Sequence, residues 1–140
     1  MTYAEVCFAM SEAFLRGWSG LPGSAQLWYE YGIAASHGQW GVASADASAY
    51  LASVAPVSME TMAMEKWVAL YLQGYEGWAE WRRLDYPVLS PPSAAISGTG
   101  VPVRHGYSAL LPTNNKEAYE AAVAAQGPDN QDTKLWWDTK

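Results

Sequence analysis

The stretch Gly74-Tyr75-Glu76-Gly77-Trp78-Ala79-Glu80-Trp81-Arg82-Arg83-Leu84-Asp85-Tyr86-Pro87 decides how the rest of the chain is read. Trp78 and Trp81 recur at helical spacing, and Glu76, Glu80 and Arg83 recur on another face, which is the signature of an amphipathic helix. The same period runs backwards through Tyr71, Leu70, Trp67 and Met62 to Ser58, a good N-cap, with Pro56 breaking whatever precedes it. The spacing therefore predicts one long helix from Met59 to about Leu84, roughly 39 Å at the usual rise per residue. Gly74 and Gly77 inside it would each cost about 1 kcal/mol relative to alanine. We expect another element to approach closely there, with a functional kink as the alternative.

Upstream, Thr2-Tyr3-Ala4-Glu5 fits a capping box, in which hydroxyl and carboxylate satisfy free backbone donors. Tyr3, Val6, Cys7, Met10, Phe14 and Leu15 follow at helical spacing, and Gly17 supplies a stop. After the turn Ser19-Gly20-Leu21-Pro22-Gly23, Ser24 caps a second helix, about Ala25 to His37, that ends at Gly38. The two form an antiparallel pair of roughly tetratricopeptide size with no visible second copy, and a lone unit of that kind cannot bury both faces. A short helix is predicted near Asp46–Ser53.

Downstream the period is lost. Residues 85–113, with Pro87, Pro91, Pro92, Gly98, Gly100 and Pro102, read as a long loop in which Val101–Arg104 is briefly extended. Asn114 is the predicted cap of a last helix, 115–126, stopped by Gly127-Pro128. The tail 127–140 is polar until Trp136-Trp137, and two adjacent tryptophans so near a terminus predict that it docks back onto the body. The layout is thus a helix pair over 2–38, a long helix over 59–84, a loop over 85–113, a helix over 115–126 and a docking tail over 127–140.

The 140 residues are 50% hydrophobic and 16% charged, enough apolar material for a core and the wrong composition for disorder. A net charge of −6 with scattered basic residues excludes a phosphate-neutralising surface, so no nucleic acid is expected. One cysteine and two histidines leave no disulfide framework and no zinc centre. No apolar run is long enough to span a bilayer, and the amino terminus lacks the pattern of a signal peptide.

No residue set reads as catalytic. Glu76 and Glu80 share one helix face beside Arg83, whereas glycosidase carboxylates lie across a substrate, so an ion-pair rim is the expectation. Asp129, Asp132 and Asp138 lack the glycine and bidentate glutamate of a calcium loop and read as surface or capping residues. His105 stands between Arg104 and Gly106 with no nucleophile in a recognisable setting, and Cys7 lies on the apolar arc of the first helix. No phosphate-binding glycine motif occurs. No cofactor or metal follows. The aromatics admit two readings. They are core and loop anchors with a polar handle, or else loop positions such as Trp40, Tyr86 and Tyr107 stack on sugar rings.

Taken together, Met1-Thr2-Tyr3-Ala4-Glu5-Val6-Cys7-Phe8 with Ser11-Glu12-Ala13, Glu65-Lys66-Trp67-Val68-Ala69-Leu70-Tyr71, the Gly74–Pro87 stretch, Pro102-Val103-Arg104, Gly127-Pro128-Asp129-Asn130 and Leu135-Trp136-Trp137-Asp138 resemble the carboxy-terminal part of the SusD/RagB family of outer-membrane nutrient-binding lipoproteins. The similarity runs over essentially the whole chain. The Trp78–Arg83 block and the Leu135–Asp138 ending are specific in combination. The resemblance implies a mainly α fold, SusD-like, with a tetratricopeptide-like helix pair, a long helix and an irregular carboxy-terminal loop region. In it Trp67, Trp78, Glu80, Trp81, Arg82, Arg83, Trp136 and Trp137 form a structural signature. It also implies a non-catalytic protein at the bacterial outer surface that binds glycan or another nutrient as the lid of a SusC-like TonB-dependent transporter. Its only membrane contact would be a lipid anchor on an amino-terminal part outside this chain. The apolar arc of the first helix is too wide for one neighbour, and the expectation is a fragment whose helices are covered by missing polypeptide. The alternative from another class is a tetratricopeptide-type scaffold that binds protein segments.

Overall fold

The computed structural model describes residues 1–94 and 100–139. Gly98 of the predicted loop and Lys140 of the tail lie outside the described residues. The chain divides into two compact units, Met1–Pro87 and Val88–Lys140. The described residues form seven α-helices and no strand.

In the first unit, α1 (Tyr3–Leu15) opens on the capping box: the Thr2 side chain accepts the Glu5 N–H at 3.3 Å, and the Glu5 carboxylate accepts the Thr2 N–H in return. Helix α2 (Ala25–Gln39) opens on Ser24, whose hydroxyl accepts the Leu27 N–H at 3.2 Å. The Ser11 hydroxyl donates to the Ala25 carbonyl at 2.8 Å, which ties the middle of α1 to the start of α2. Gly32 lets the pair close. A Cβ there would sit 2.8 Å from carbons of the Phe8 ring, inside the contact limit. Phe8, Tyr29, Ile33, Met62, Ala63, Ala69 and Leu84 form the buried cluster with Ala4, and Cys7 is fully buried beside it. Helix α3 (Ser44–Ser53) packs on α2 and buries no residue fully.

The predicted long helix is two helices, α4 (Met59–Ala69) and α5 (Gly74–Leu84). The chain turns through Leu70–Gln73, with Leu72 in the left-handed region at φ 65°. Helical periodicity cannot distinguish an unbroken helix from two helices that share a buried side, and the glycines lower the cost of starting afresh. The close approach expected at the glycines is not observed, whereas the chain does turn immediately before Gly74. A Cβ on Gly74 would meet nothing within 4 Å, and one on Gly77 would make ordinary contact with Leu70 at 3.8 Å.

In the second unit, the predicted loop contains a short helix, α6 (Leu111–Asn114), followed by α7 (Lys116–Gln126). Asn114 is therefore not a cap. Pro112 suits a first turn and starts helix at Leu111, so Asn114 closes α6 and the junction residue Asn115 makes no side-chain capping bond. Val101–Arg104 forms no strand, but the Val103 N–H donates to the Gln131 carbonyl at 2.9 Å and so joins loop to tail. Order in the tail comes from polar chemistry. The Asn130 side-chain oxygen accepts the Asp132 and Thr133 N–H groups, and the Thr133 hydroxyl donates to the Pro128 carbonyl at 2.7 Å. The two tryptophans are not what the tail buries. Trp136 is 83% exposed, Trp137 37%, and Asp138 is the buried residue.

Candidate functional site

The Trp78–Arg83 block is a structural lock. Arg83 donates from Nη1 and Nη2 to the two Glu12 oxygens at 2.5 and 2.6 Å, and from Nη2 to Glu80 at 2.6 Å. Lys66 of α4 is buried and meets Glu80 at 2.8 Å, while Arg16 meets Glu12 at 2.8 Å. Burial alone would push the Glu12 carboxyl up, but the hydrogen bonds from Arg83 and Arg16 outweigh it and hold that carboxyl at about 2. Glu80 is likewise driven upward by burial and, more strongly, downward by Arg83 and Lys66. A carboxyl held below its ordinary range is a poor proton donor at neutral pH. Glu76 is exposed. Nothing in this pair assembles an acid with an opposed base. Trp81 donates its indole N–H to the Pro87 carbonyl at 3.0 Å, the Arg82 guanidinium lies 3.7 Å over the Trp78 ring, and Trp67 is half-buried on α4.

In the second unit Asp129 is a hub. It accepts the Tyr107 N–H at 3.0 Å, the Tyr119 hydroxyl at 3.2 Å and Arg104 at 3.4 Å. Arg104 is 4% exposed and lies 5.0 Å from the Tyr107 ring, while Tyr119 meets that ring edge-on at 5.9 Å. The Asp129 cluster thus fixes the Tyr107 backbone and ring together. Tyr107 forms one wall of a cleft of about 380 Å³ whose other lining residues are Ala122, Ala125, Gln126, Lys134 and Trp136. Two aromatic side chains, an amide and an ammonium surround a floor of small alanines. Lys134 is held by Asp138 at 3.2 Å. Aromatic faces with a few directional polar groups are what a polyhydroxylated ring requires.

A smaller cleft of about 180 Å³ lies in the first unit, lined by Phe8, Ile33, Ser36, His37, Tyr50, Glu65 and Val68. The Tyr50 hydroxyl donates to Glu65 at 2.7 Å, and this bond, with burial, pushes the phenol up to about 12.

Of the residues singled out for sugar stacking, only Tyr107 lines either cleft. Trp40 caps the end of α2 and meets Tyr71 edge-on at 5.4 Å, with 45% of its surface exposed. Tyr86 packs against the buried cluster. Trp136, read as a docking residue, is instead a cleft wall, and Gln126 and Lys134 were not singled out at all. Two signals pointed there: the tail polarity before Trp136, and the alanine-rich face of α7. Asp129, Asp132 and Asp138 do not converge, and no group of three metal-ligating side chains occurs among the described residues. His105 is exposed, and its carbonyl accepts from Arg104 at 3.1 Å. Cys7 is core, its thiol pushed up by burial.

Comparison with known proteins gives one consistent result. The family model for SusD-like proteins, described as starch-binding and associating with the outer membrane, matches residues 1–108. A solved structure described as Bacteroidetes AC2a SusD-like superposes with a TM-score of 0.89 at 33% identity, covering 100% of this chain and 30% of its own. A SusD homologue from Bacteroides uniformis gives 0.84 at 28% identity, covering 98% of this chain and 36% of its own. A chitin-binding SusD homologue from Flavobacterium johnsoniae gives 0.81 at 28% identity, covering 98% and 36%. No match was found among curated proteins. The chain thus spans about a third of the length of these solved relatives, and no helix among its described residues is long and apolar enough to cross a membrane. With the family model matching more than half of it and the whole helical frame superposing, this chain belongs to the SusD/RagB family.

Proposed function

We propose that this chain is part of a non-catalytic glycan-binding protein of the bacterial outer surface, a lid and partner of a SusC-like TonB-dependent transporter. Its attachment to the membrane would be a lipid anchor. The family description, starch-binding and associating with the outer membrane, supports the ligand class and the location. So does the chitin-binding relative, which is itself a glycan binder. The observation that carries the reading is the Tyr107–Trp136 cleft, where an aromatic ring exposed over 83% of its surface stands beside a second ring fixed from behind by Asp129 and Arg104.

Titration calorimetry of the chain with starch and chitin oligosaccharides tests this. Tyr107→Ala and Trp136→Ala should each weaken binding by about 1–3 kcal/mol, the size of aromatic stacking on a planar ring, with unchanged helical content. Trp40→Ala and Tyr86→Ala, which line neither cleft, serve as comparisons; a larger loss there would move the site to the first unit. Titrations unaltered by both cleft variants would reject this cleft as the binding site.

A further inference from the structure

We propose that the outward side of α4, with the end of α2 and the start of α3 beside it, docks a basic amphipathic helix of a partner polypeptide. The surface lies within the first unit and shares no residue with the Tyr107–Trp136 cleft, so neither reading depends on the other. The outermost positions of a surface helix are normally polar, because they face water. On α4 that line is Glu60, Met64 and Val68, and Tyr71 follows in the turn beyond. Met64 is 43% exposed, Val68 49% and Tyr71 64%, so this apolar surface is open to a partner. Trp40, at the end of α2, meets Tyr71 edge-on at 5.4 Å. Tyr50 of α3 donates to Glu65 of α4 at 2.7 Å and lines one shallow cleft with Val68. Three helices thus join Trp40, Tyr50, Met64, Val68 and Tyr71 into one patch.

Charge selects the occupant. Between Arg16 and Lys66 the sequence holds no lysine or arginine, yet it holds Glu30, Asp46, Glu60 and Glu65. Glu60 stands at the head of the apolar line, Glu65 beside it, and Asp46 one turn before Tyr50 on α3. Lys66 is buried and paired with Glu80, so it does not offset these acids at the surface. A two-fold copy of the chain would set the acidic patch against itself, and an anionic membrane would be repelled in the same way. A partner helix with apolar side chains at i, i+3, i+4 and i+7 fits along Met64, Val68 and Tyr71, while lysines or arginines at its borders meet Glu60 and Glu65. The partly exposed rings of Trp40 and Tyr50 offer faces that attract the same cations.

The test is calorimetry on the 140-residue chain with three synthetic peptides of about fifteen residues. The first arranges leucine, alanine and lysine as an amphipathic helix, the second scrambles that composition, and the third carries glutamate in place of lysine. The first should bind about tenfold or more tightly than the other two. Val68→Lys, which sets a like charge in the exposed apolar line, and Tyr71→Ala should each weaken it about tenfold with unchanged helical content. Tyr71 lies outside the buried cluster, so Tyr71→Ala decides alone if Val68→Lys does not fold. Tyr31→Ala and Trp136→Ala, exposed aromatics outside the patch, should leave binding unchanged. Failure of the first peptide to bind, equal affinity for the scrambled or glutamate peptide, or full binding by folded Tyr71→Ala protein would overturn the inference. Sedimentation showing a dimer that Val68→Lys or Tyr71→Ala dissociates would assign the face to a second copy and overturn it equally.

Discussion

At the scale of single residues, Glu12 is where the ion pairs of the first unit converge on α1. It is almost fully buried, and it receives Arg83 and Arg16. Replacing it with glutamine leaves Arg83 with one anionic partner instead of two, and chemical denaturation should show a loss of about 2 kcal/mol. The pH dependence has a definite sign. The folded carboxyl titrates at about 2 and the free one near 4.5, so the stabilisation is fully present above the higher value and is lost as pH falls through the lower one. It amounts to about 3 kcal/mol at most. Glu12→Gln should flatten the stability profile between these pH values, and an unchanged slope would show that other carboxylates govern acid unfolding. The i, i+3 pairing of Glu80 with Arg83 was legible in the sequence. Glu12 and Lys66 were not, because nothing in a local pattern reveals which residues of distant helices converge on the same guanidinium.

At the scale of elements, most caps and stops were readable, the exceptions being Asn114, which closes α6, and Gly38, which α2 passes through to end at Gln39. Thr2, Ser24, Ser58 and Gly127 act through bonds to residues within a turn of themselves, and their chemistry needs no tertiary information. The α4–α5 break was hidden because its deciding residue is Leu72, a side chain with no turn preference, 77% exposed and held at φ 65°. Leu72→Gly should therefore stabilise the chain by about 0.5–1 kcal/mol in thermal or urea unfolding, since glycine enters that region without steric penalty and little packing is lost. Gly32→Ala makes the opposite case. Alanine is the better helix former, yet its methyl meets the Phe8 ring, and a loss of about 1–3 kcal/mol is expected. A stabilised Gly32→Ala protein would mean that the α1–α2 pair can spread without cost.

At the scale of the whole molecule, the two units are built on different physics. All the fully buried apolar residues described belong to the first. The second is organised by Asp129, Arg104 and the Asn130 turn, with no fully buried apolar side chain among its described residues. Hydrogen exchange should accordingly find the amides of α7 opening before those of α1 and α2, and equal protection would show that the second unit has apolar support not seen in its own side chains. The first unit leaves Tyr3 and Val6 of α1 and Leu27 and Tyr31 of α2 partly or largely exposed, so its opening helix pair is not sheltered all round. This is the same breadth of apolar arc that the sequence pattern displayed. Family membership was readable from motif combinations spread along the chain, whereas the cleft required knowing that residues 107, 122–126 and 134–136 meet. The Arg83–Glu12 contact has a consequence for the order of assembly. Its partners stand 71 positions apart, so the bridge can close only after a large stretch of chain has been gathered, against the entropy of a long loop. Such a late-forming clasp adds little to the speed of folding and acts mainly on the rate of escape from the native state.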